Sequence, residues 1–318
     1  MNVMNMPKML VSGGNGFLGY YLVDKALKEG FSVVVVDDLS TSKEIQLPKE
    51  VKFVKQDVES YETDEKFDFV VHLAARPSPE DYMNHPVTTL TSNSIGTLKM
   101  LEIARKSNAM FLYTSSSEVY GNASIIPTKE DYFGNVNPNG VRSCYDEGKR
   151  FSEALIMAYY RQYGVDTRII RPFNVYGPRI RADSQYGRVV PRFATQALAG
   201  KPLTLTGNGS QTRAFLYIDD WLDAVWKLLN SKEAKGSVLN IGSGRETTVL
   251  ELAEMVKKLT GSNSAIEYIA AREEDPQRRA ADITKAKALL NWEPKISLEE
   301  GLARTIKWFQ KGNKLVTV

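Results

Sequence analysis

Short apolar runs alternate with longer amphipathic stretches through the first half of the chain. Runs that are apolar throughout are typical of strands buried on both faces of a parallel sheet. They predict strands at residues 8–12, 32–37, 51–55, 67–73, 110–114 and 166–171. The amphipathic stretches predict helices at residues 16–29, 86–107 and 144–163. This regular alternation favours an α/β fold with a doubly wound parallel sheet.

The pattern becomes irregular after Arg171, where "RPFNVYGPRIRADSQYGRVV" is rich in glycine, proline and arginine. Beyond it, the chain predicts helices at 190–199, 219–230, 249–259, 284–290 and 298–310, and strands at 203–205, 213–218, 238–241 and 265–269. We expect a smaller C-terminal α/β lobe that exchanges segments with the first domain. Residues 1–172 would form the first domain together with 216–241, and residues 173–318 the lobe, mainly 173–215 and 242–318.

The amino-acid composition argues against several classes of function. The net charge of +3 comes from 41 basic and 38 acidic residues, which is too balanced to favour nucleic acid as a partner. No apolar stretch is long enough to predict a membrane span. The lone Cys144 excludes an internal disulfide and fits a reducing compartment, so we expect a cytoplasmic protein. The two histidines, His72 and His85, form no metal-ligand pattern, and we expect no metal site.

The first strand leads into a glycine loop and a helix in "MLVSGGNGFLGYYLVDKAL". Glycines at 13, 16 and 19 permit a tight turn and let backbone N–H groups approach a pyrophosphate, which the helix N-terminus also favours. A simple turn is the alternative, but the position after the first strand favours dinucleotide binding. Asp37 ends the second strand, where a carboxylate accepts from a ribose 2′-hydroxyl and repels a 2′-phosphate, so we predict NAD and not NADP. The candidate cofactor-binding residues are Gly13, Gly16, Phe17, Leu18, Gly19, Asp37, Asp57, Val58, Leu73, Ala74, Ala75, Asn93, Tyr145 and Lys149.

Tyr145 and Lys149 are four residues apart, which places them on one face of a helix. An adjacent ammonium lowers the pKa of a phenol, so this pair predicts a general base, and the lysine is also placed to hydrogen-bond a nicotinamide ribose. The hydroxyl cluster of residues 115–117 follows a predicted core strand upstream, and Glu118 comes directly after it. Together with the glycine loop, this set predicts redox chemistry on a bound hydroxyl group.

With these motifs, the chain resembles the extended short-chain dehydrogenase/reductase family, which includes the nucleotide-sugar epimerases and dehydratases. The resemblance runs from "GGNGFLG" to "LEEGLARTIKWF" and includes "NSIGTLKMLEIAR" and "RPFNVYGPR". It implies a Rossmann-type domain with bound NAD, a lobe for a nucleoside diphosphate sugar, and a homodimer formed through the helices at 86–107 and 144–163.

Within the family, four segments are similar to the UDP-glucuronate decarboxylases: "NPNGVRSCYDEGKR", "YGRVVPRFATQAL", "GNGSQTRAF" and "DPQRR". This likeness implies oxidation at sugar C4, decarboxylation and re-reduction, turning UDP-glucuronate into UDP-xylose. Its implied catalytic residues are Tyr145, Lys149, Ser116, Ser117, Glu118 and Arg213. Its implied substrate-binding residues are Ser78, Asn174, Arg188, Arg213, Tyr217, Arg272 and Arg278.

Three other functions stay open at this point. A 4-epimerase of a nucleotide sugar needs no acid at position 118, but "REED" at 272–275 and Arg76 resemble such enzymes. A 4,6-dehydratase often carries an Asp-Glu pair, and Ser117 stands where that aspartate would be. An inactive NAD-binding sensor typically loses the tyrosine or the lysine, and this chain keeps both Tyr145 and Lys149.

Overall fold

The computed structural model describes residues 6–42, 44–182, 188–271 and 274–312. In chain order its strands are β1 (Lys8–Ser12), β2 (Ser32–Asp37), β3 (Lys52–Lys55), β4 (Phe69–His72), β5 (Met110–Thr114), β6 (Thr167–Pro172), β7 (Val175–Tyr176), β8 (Leu203–Thr206), β9 (Thr212–Ala214), β10 (Leu216–Tyr217), β11 (Val238–Ile241), β12 (Glu246–Thr248), β13 (Ile266–Ile269) and β14 (Arg278–Arg279). The helices are α1 (Phe17–Lys28), α2 (Pro79–Asn84), α3 (Pro86–Ser107), α4 (Ser143–Tyr163), α5 (Val189–Leu198), α6 (Ile218–Asn230), α7 (Val249–Thr260), α8 (Thr284–Leu290) and α9 (Leu298–Gln310). Short 3₁₀ turns span Ser117–Tyr120 and Lys232–Ala234.

A parallel sheet of seven strands, in the order β11-β6-β5-β4-β1-β2-β3, forms the centre of the molecule. Alternate side chains of each strand point to opposite faces, so each strand contributes to two cores. On one face, Val33 and Val35 of β2 join the core that contains α1 and α6. On the other face, Val34 and Val36 join the core that contains α3 and α4. Burial on both faces explains why these strands are apolar throughout, and the predicted doubly wound α/β fold is confirmed.

The C-terminal part of the chain builds two small sheets, β12-β9-β14 and β13-β8, and the pair β10-β7. Helices α5, α7 and α9 pack against one another beside them. The strand β11 instead joins the main sheet next to β6. This connectivity supports our proposed division of the chain into a first domain, to which 216–241 returns, and a second lobe.

The structure differs from the predicted elements near the site. The strand predicted at 213–218 is present as two short strands, β9, which pairs with β12 and β14, and β10, which pairs with β7. The helix α2 was not predicted, since its six residues are too few to show a helical repeat of apolar positions. In the described part of the chain, no helix is long and apolar enough to cross a membrane.

Candidate active site

The order of the strands reverses between β1 and β4, and the loops that follow these two strands open a crevice at the carboxyl edge of the sheet. Open α/β sheets bind ligands at such a switch point. Gly13 follows β1 with a φ of +72°, and a Cβ atom there would lie 2.6 Å from the backbone nitrogen of Ala74. A Cβ atom on Gly19 would lie 2.4 Å from the carbonyl oxygen of Gly13. Glycine is therefore required at both positions, which leaves the backbone of the loop bare towards the crevice.

The loop and the end of β2 fit an NAD molecule. Gly16 caps α1 without a side-chain hydrogen bond, so the N–H groups of the first turn stay available for a pyrophosphate. The Asp37 carboxylate accepts hydrogen bonds from the backbone N–H groups of Asn15 (3.0 Å) and Leu39 (2.9 Å), which fix it at the edge of the crevice. Burial raises the pKa of Asp37. A carboxylate in this place has the geometry to accept from a ribose hydroxyl.

A deep cavity extends from this crevice towards the second lobe. Of the predicted cofactor residues, the following line it: Gly13, Gly16, Phe17, Leu18, Gly19, Asp37, Asp57, Val58, Leu73, Ala74, Ala75, Tyr145 and Lys149. Asp57 lies at its edge, where its carboxylate accepts from the backbone N–H and the hydroxyl of Ser60, both at 2.8 Å. Asn93 does not line it: its side chain is buried in α3 and donates to the carbonyl of Thr89 at 2.9 Å. The structure therefore gives Asn93 a packing position between α3 and α4.

Helix α4 carries Tyr145 and Lys149 into the middle of the cavity. The Lys149 ammonium donates to the carbonyl of Thr114 at 2.9 Å and lies 5.8 Å from the centre of the Tyr145 ring. Burial raises the pKa of Tyr145 to about 12, and a hydrogen bond with Ser116 lowers it in part. Burial also lowers the pKa of Lys149 to about 7. Burial therefore outweighs the groups that lower the pKa of the Tyr145 phenol in the protein by itself, and the effect of the Lys149 ammonium on this phenol stays a prediction.

The 3₁₀ turn after β5 places the polar cluster at the wall of the cavity that Tyr145 also lines. The Ser116 hydroxyl caps this turn by accepting from the backbone N–H of Glu118 at 3.2 Å. Ser117 is buried, and both serines line the cavity. Glu118 follows them at the cavity wall. The structure thus brings together the serine, glutamate and tyrosine side chains that the sequence predicted as one set.

Glu118 forms ion pairs with two buried arginines that the sequence analysis did not select, Arg142 and Arg279. Arg142 lies at the start of α4, whereas Arg279 belongs to β14 in the second lobe. The Oε2 atom of Glu118 accepts from Arg142, and its Oε1 atom accepts from Arg279. Arg142 could have been selected from the sequence because it stands three residues before Tyr145. Arg279 lay in the quoted "DPQRR", one residue beyond the one selected.

Tyr82 of α2 covers one face of the Tyr145 ring. Its ring stacks on that of Tyr145, with centres 5.2 Å apart and planes 16° apart. The guanidinium of Arg142 lies 5.7 Å from the centre of the Tyr82 ring. Burial raises the pKa of Tyr82 far above its usual value, so its hydroxyl stays neutral. Tyr82 therefore fixes the Tyr145 ring by packing and supplies no charge to the site.

The predicted substrate residues divide into two groups. Ser78, Asn174, Arg188 and Arg213 line the cavity. The Arg213 guanidinium is held by the carboxylate of Asp275 at 2.8 Å and by the carbonyl of Thr212 at 2.9 Å. Burial lowers the pKa of Arg213. Arg213 therefore presents a positioned cation to the cavity.

Two predicted substrate residues lie elsewhere, and Arg272 lies outside the described residues. Tyr217 is buried edge-on against Tyr176, with ring centres 5.6 Å apart, and does not line the cavity. Arg278 is exposed and forms an ion pair with Glu246 at 2.6 Å. Successive strand residues point to opposite faces, so in β14 it is Arg279 and not Arg278 that enters the cavity. Within the described residues, no cluster of histidine, cysteine and acidic side chains has the arrangement of a metal site.

Comparison with known proteins identifies a matching family and relatives whose activity is named. A model of the NAD dependent epimerase/dehydratase family matches residues 9–242. UDP-glucuronic acid decarboxylase 1 of Danio rerio is 43% identical over 308 residues, which cover 96% of this chain and 73% of the relative. UDP-glucuronic acid decarboxylase 5 of Arabidopsis thaliana is 44% identical over 300 residues, which cover 93% of this chain and 87% of the relative.

Solved structures give the same fold. The UDP-glucose 4-epimerase of Thermotoga maritima, solved with UDP-glucose, superposes with a TM-score of 0.88 at 33% identity over 96% of this chain and 99% of that one. The UDP-glucuronic acid 4-epimerase of Bacillus cereus, in complex with UDP-glucuronic acid and NAD, superposes with a TM-score of 0.85 at 29% identity over the same two fractions. With the glycine loop, Asp37 and the Tyr145–Lys149 pair in place, these matches show that the chain belongs to the NAD dependent epimerase/dehydratase family.

Proposed function

We propose that the chain is an NAD-dependent UDP-glucuronate decarboxylase that produces UDP-xylose. Decarboxylases of this name are its relatives at 43% and 44% identity across nearly the whole chain. The observation that carries the proposal is Glu118, an acid held by Arg142 and Arg279 at the wall of the cavity that Tyr145 also lines. Such a residue serves a proton transfer at the carbon next to C4, which decarboxylation requires and 4-epimerisation does not.

Tyr145, Lys149 and Ser116 serve the oxidation and the re-reduction at C4 in this proposal. When bound, NAD accepts a hydride from C4 of the sugar and returns it at the end of the cycle. Tyr145 takes the proton of the C4 hydroxyl, and the hydrogen bond from Ser116 holds the same phenol oxygen in place. Lys149 lies below the phenol ring and adds positive charge that favours the phenolate. Ser117 faces the same part of the cavity and supports the ketone oxygen.

The C4 ketone makes the C6 carboxylate a β-keto acid, which loses carbon dioxide and leaves the bonding electrons in an enolate. The enolate then takes a proton at C5, and we assign this delivery to Glu118 or a water molecule that it holds. Arg213 lies in the same cavity as Glu118 and faces the carboxylate or the diphosphate in our proposal. A strong bidentate grip on the carboxylate would stabilise it before reaction and oppose its loss, so Arg213 orients it weakly in a decarboxylase.

The proposal is tested by incubating the purified protein with NAD and, separately, UDP-glucuronate, UDP-glucose and UDP-galactose. We expect UDP-glucuronate to be converted to a nucleotide sugar lighter by the mass of carbon dioxide, because a β-keto acid decarboxylates once C4 is oxidised. Mass spectrometry of the products checks this result. An isomer of unchanged mass would contradict the proposal and favour a 4-epimerase, the function named for the two solved structures of similar fold.

We also propose that the protein is a homodimer formed through α3 and α4. Helix α3 exposes a stripe of apolar side chains at helical spacing, formed by Val87, Leu90, Ile95 and Leu98. On α4, the Phe151 ring is 52% exposed. Apolar side chains grouped in this way on the surface mark an interaction site. The stripe fits the same two helices of a second copy, which would pair into a four-helix bundle.

A charge placed in the middle of this stripe is expected to separate the two copies. Leu98→Glu would bury an unpaired carboxylate in the interface, which costs far more than the apolar contact contributes. Sedimentation equilibrium should give twice the chain mass for the unmodified protein and the single chain mass for the variant. A single chain mass for the unmodified protein would contradict the proposed dimer.

A further inference from the structure

Asp146 is a buried carboxyl directly after Tyr145 to which the proposed chemistry gives no task. Its side chain is 6% exposed, and one of its oxygens, Oδ1, has no hydrogen-bond partner among the described residues. The other oxygen lies 3.8 Å from Nε of Arg142. A buried carboxylate with so little hydrogen bonding costs free energy that a surface residue would avoid. The buried position of Asp146 therefore needs an explanation in terms of what its carboxyl group contributes.

Arg142 connects Asp146 to the acid at the cavity wall. Its Nη2 donates to Glu118, and its Nε faces Asp146. The two carboxylates come from different elements, a 3₁₀ turn and a helix. The centre of the Tyr82 ring lies 5.7 Å from the same guanidinium. A guanidinium with two carboxylates and an aromatic ring beside it has little freedom to rotate.

We propose that Asp146 is a positioning residue, whose carboxylate fixes the Arg142 guanidinium and thereby the orientation of Glu118. This inference rests on the decarboxylase function proposed above. Asp146 is not among the residues that line the cavity, so it acts through Arg142 and Glu118, besides raising the pKa of the adjacent Tyr145 phenol. Charges alternate along the row Asp146, Arg142, Glu118 and Arg279, so the loss of one end weakens the hold on the acid at the wall.

The steps of the reaction depend on Asp146 to different extents. Oxidation at C4 uses the phenol of Tyr145 and the ammonium of Lys149. Only the backbone N–H of Tyr145 is hydrogen-bonded to Arg142, through the Arg142 carbonyl, whereas the Lys149 ammonium donates to Thr114. Protonation at C5 uses Glu118, whose angle to the sugar ring decides which face of the enolate receives the proton. Loss of the Asp146 charge is therefore expected to slow the late steps and to relax their stereochemistry, while oxidation at C4 continues.

The ionisation of Asp146 gives this effect a pH dependence. Burial raises the pKa of Asp146 to about 7, and Arg142 lowers it in part. The charged and titratable groups that face it are Arg142, Tyr145, Glu147 and Arg150 of its own helix region, Cys144 beside it, Tyr82 of α2 and Glu274 of the second lobe. The carboxylate is lost as the pH falls through about 7, so the late steps should slow in that direction. Lys149, whose pKa is also about 7, loses its charge in the opposite direction and affects the oxidation instead.

The test compares Asp146→Asn with Glu147→Gln, which removes the same charge one residue further along on a side chain that is 36% exposed. Each variant receives UDP-glucuronate in D₂O. The appearance of NADH absorbance reports oxidation, UDP-xylose formation reports turnover, and NMR of the product reports which C5 position carries deuterium. For Asp146→Asn we expect oxidation within about twofold of the unmodified protein, turnover slower by about tenfold, and deuterium at both C5 positions.

Two further outcomes decide the proposal. On a Glu118→Gln background, Asp146→Asn should add less than about twofold, because coupled residues are not additive. The fall in turnover below pH 7 should be absent from Asp146→Asn and retained in Glu147→Gln. Additive effects, or stereospecific deuterium in Asp146→Asn, or an equal loss of oxidation and turnover, would overturn the positioning role. If the unmodified protein releases no carbon dioxide, the proposed function fails instead, and the two failures are thus distinguished.

Discussion

Tyr145→Phe is expected to lower turnover by about 10³-fold while the protein stays folded, because general-base catalysis contributes about 10²–10⁴-fold in enzymes. The change removes one oxygen and keeps the ring, which stacks on Tyr82 at 5.2 Å. In the proposed mechanism, the lost hydroxyl is the group that takes the proton of the C4 hydroxyl. Because oxidation at C4 comes first, neither NADH nor carbon dioxide should form. Both are measured with UDP-glucuronate by absorbance and by mass.

A matched control separates loss of the base from loss of packing. Tyr113→Phe removes a buried phenol oxygen on β5 that has no hydrogen-bond partner among the described residues. It should change turnover by less than about twofold. The melting temperature of both variants should stay near that of the unmodified protein. Carbon dioxide release by Tyr145→Phe at an undiminished rate would remove Tyr145 from the proposed mechanism.

Arg279→Ala is expected to lower turnover by at least about 10²-fold, whereas Arg278→Ala should leave it within about twofold. The two side chains are adjacent in β14 but point in opposite directions. Arg279 is buried and holds Glu118, while Arg278 is 58% exposed and pairs with Glu246 on the surface. Breaking a buried ion pair costs about 3–5 kcal/mol when the remaining charge has no other partner. Glu118 keeps its ion pair with Arg142, so we expect Arg279→Ala to lose only part of that free energy. A surface ion pair contributes about 0–1 kcal/mol.

The measurements are initial rates of UDP-xylose formation and the free energy of unfolding in urea. Arg279→Lys keeps a cation at the position and should recover part of the lost stability, although a lysine cannot reproduce the planar donors of arginine. The structural assignment of Arg279 would be wrong if Arg278→Ala were the slower variant. It would also be wrong if Arg279→Lys and Arg279→Ala behaved alike in both measurements.

The sequence carried enough information for the sheet, the glycine loop and the catalytic helix. Each depends on residues close together in the chain: the apolar runs of β1 and β2, the glycines between β1 and α1, and the i, i+4 spacing of Tyr145 and Lys149. Residues close together in the chain are sufficient for these predictions, because helix and strand periodicity decides which side chains share a face.

The parts of the site that depend on pairing between distant segments of the chain could not be predicted from the sequence. Which of Arg278 and Arg279 enters the cavity is set by the register of β14 on β9, a partner some sixty residues earlier. The position of Tyr217 depends on β10 pairing with β7. The elevated pKa of Tyr145 also depends on what buries the ring, since Tyr82 of α2 packs against it. Burial is a property of the assembled fold and not of the Tyr-x-x-x-Lys spacing.

Glu118 connects the two proposed lobes, because it forms ion pairs with one arginine from each of them. A movement that drew the C-terminal lobe away would break the contact with Arg279 and leave the contact with Arg142 intact. The glycine loop and Asp37 lie in the proposed first domain and take no part in this contact. We therefore expect loss of the Arg279 contact to lower turnover more than it lowers the affinity for NAD.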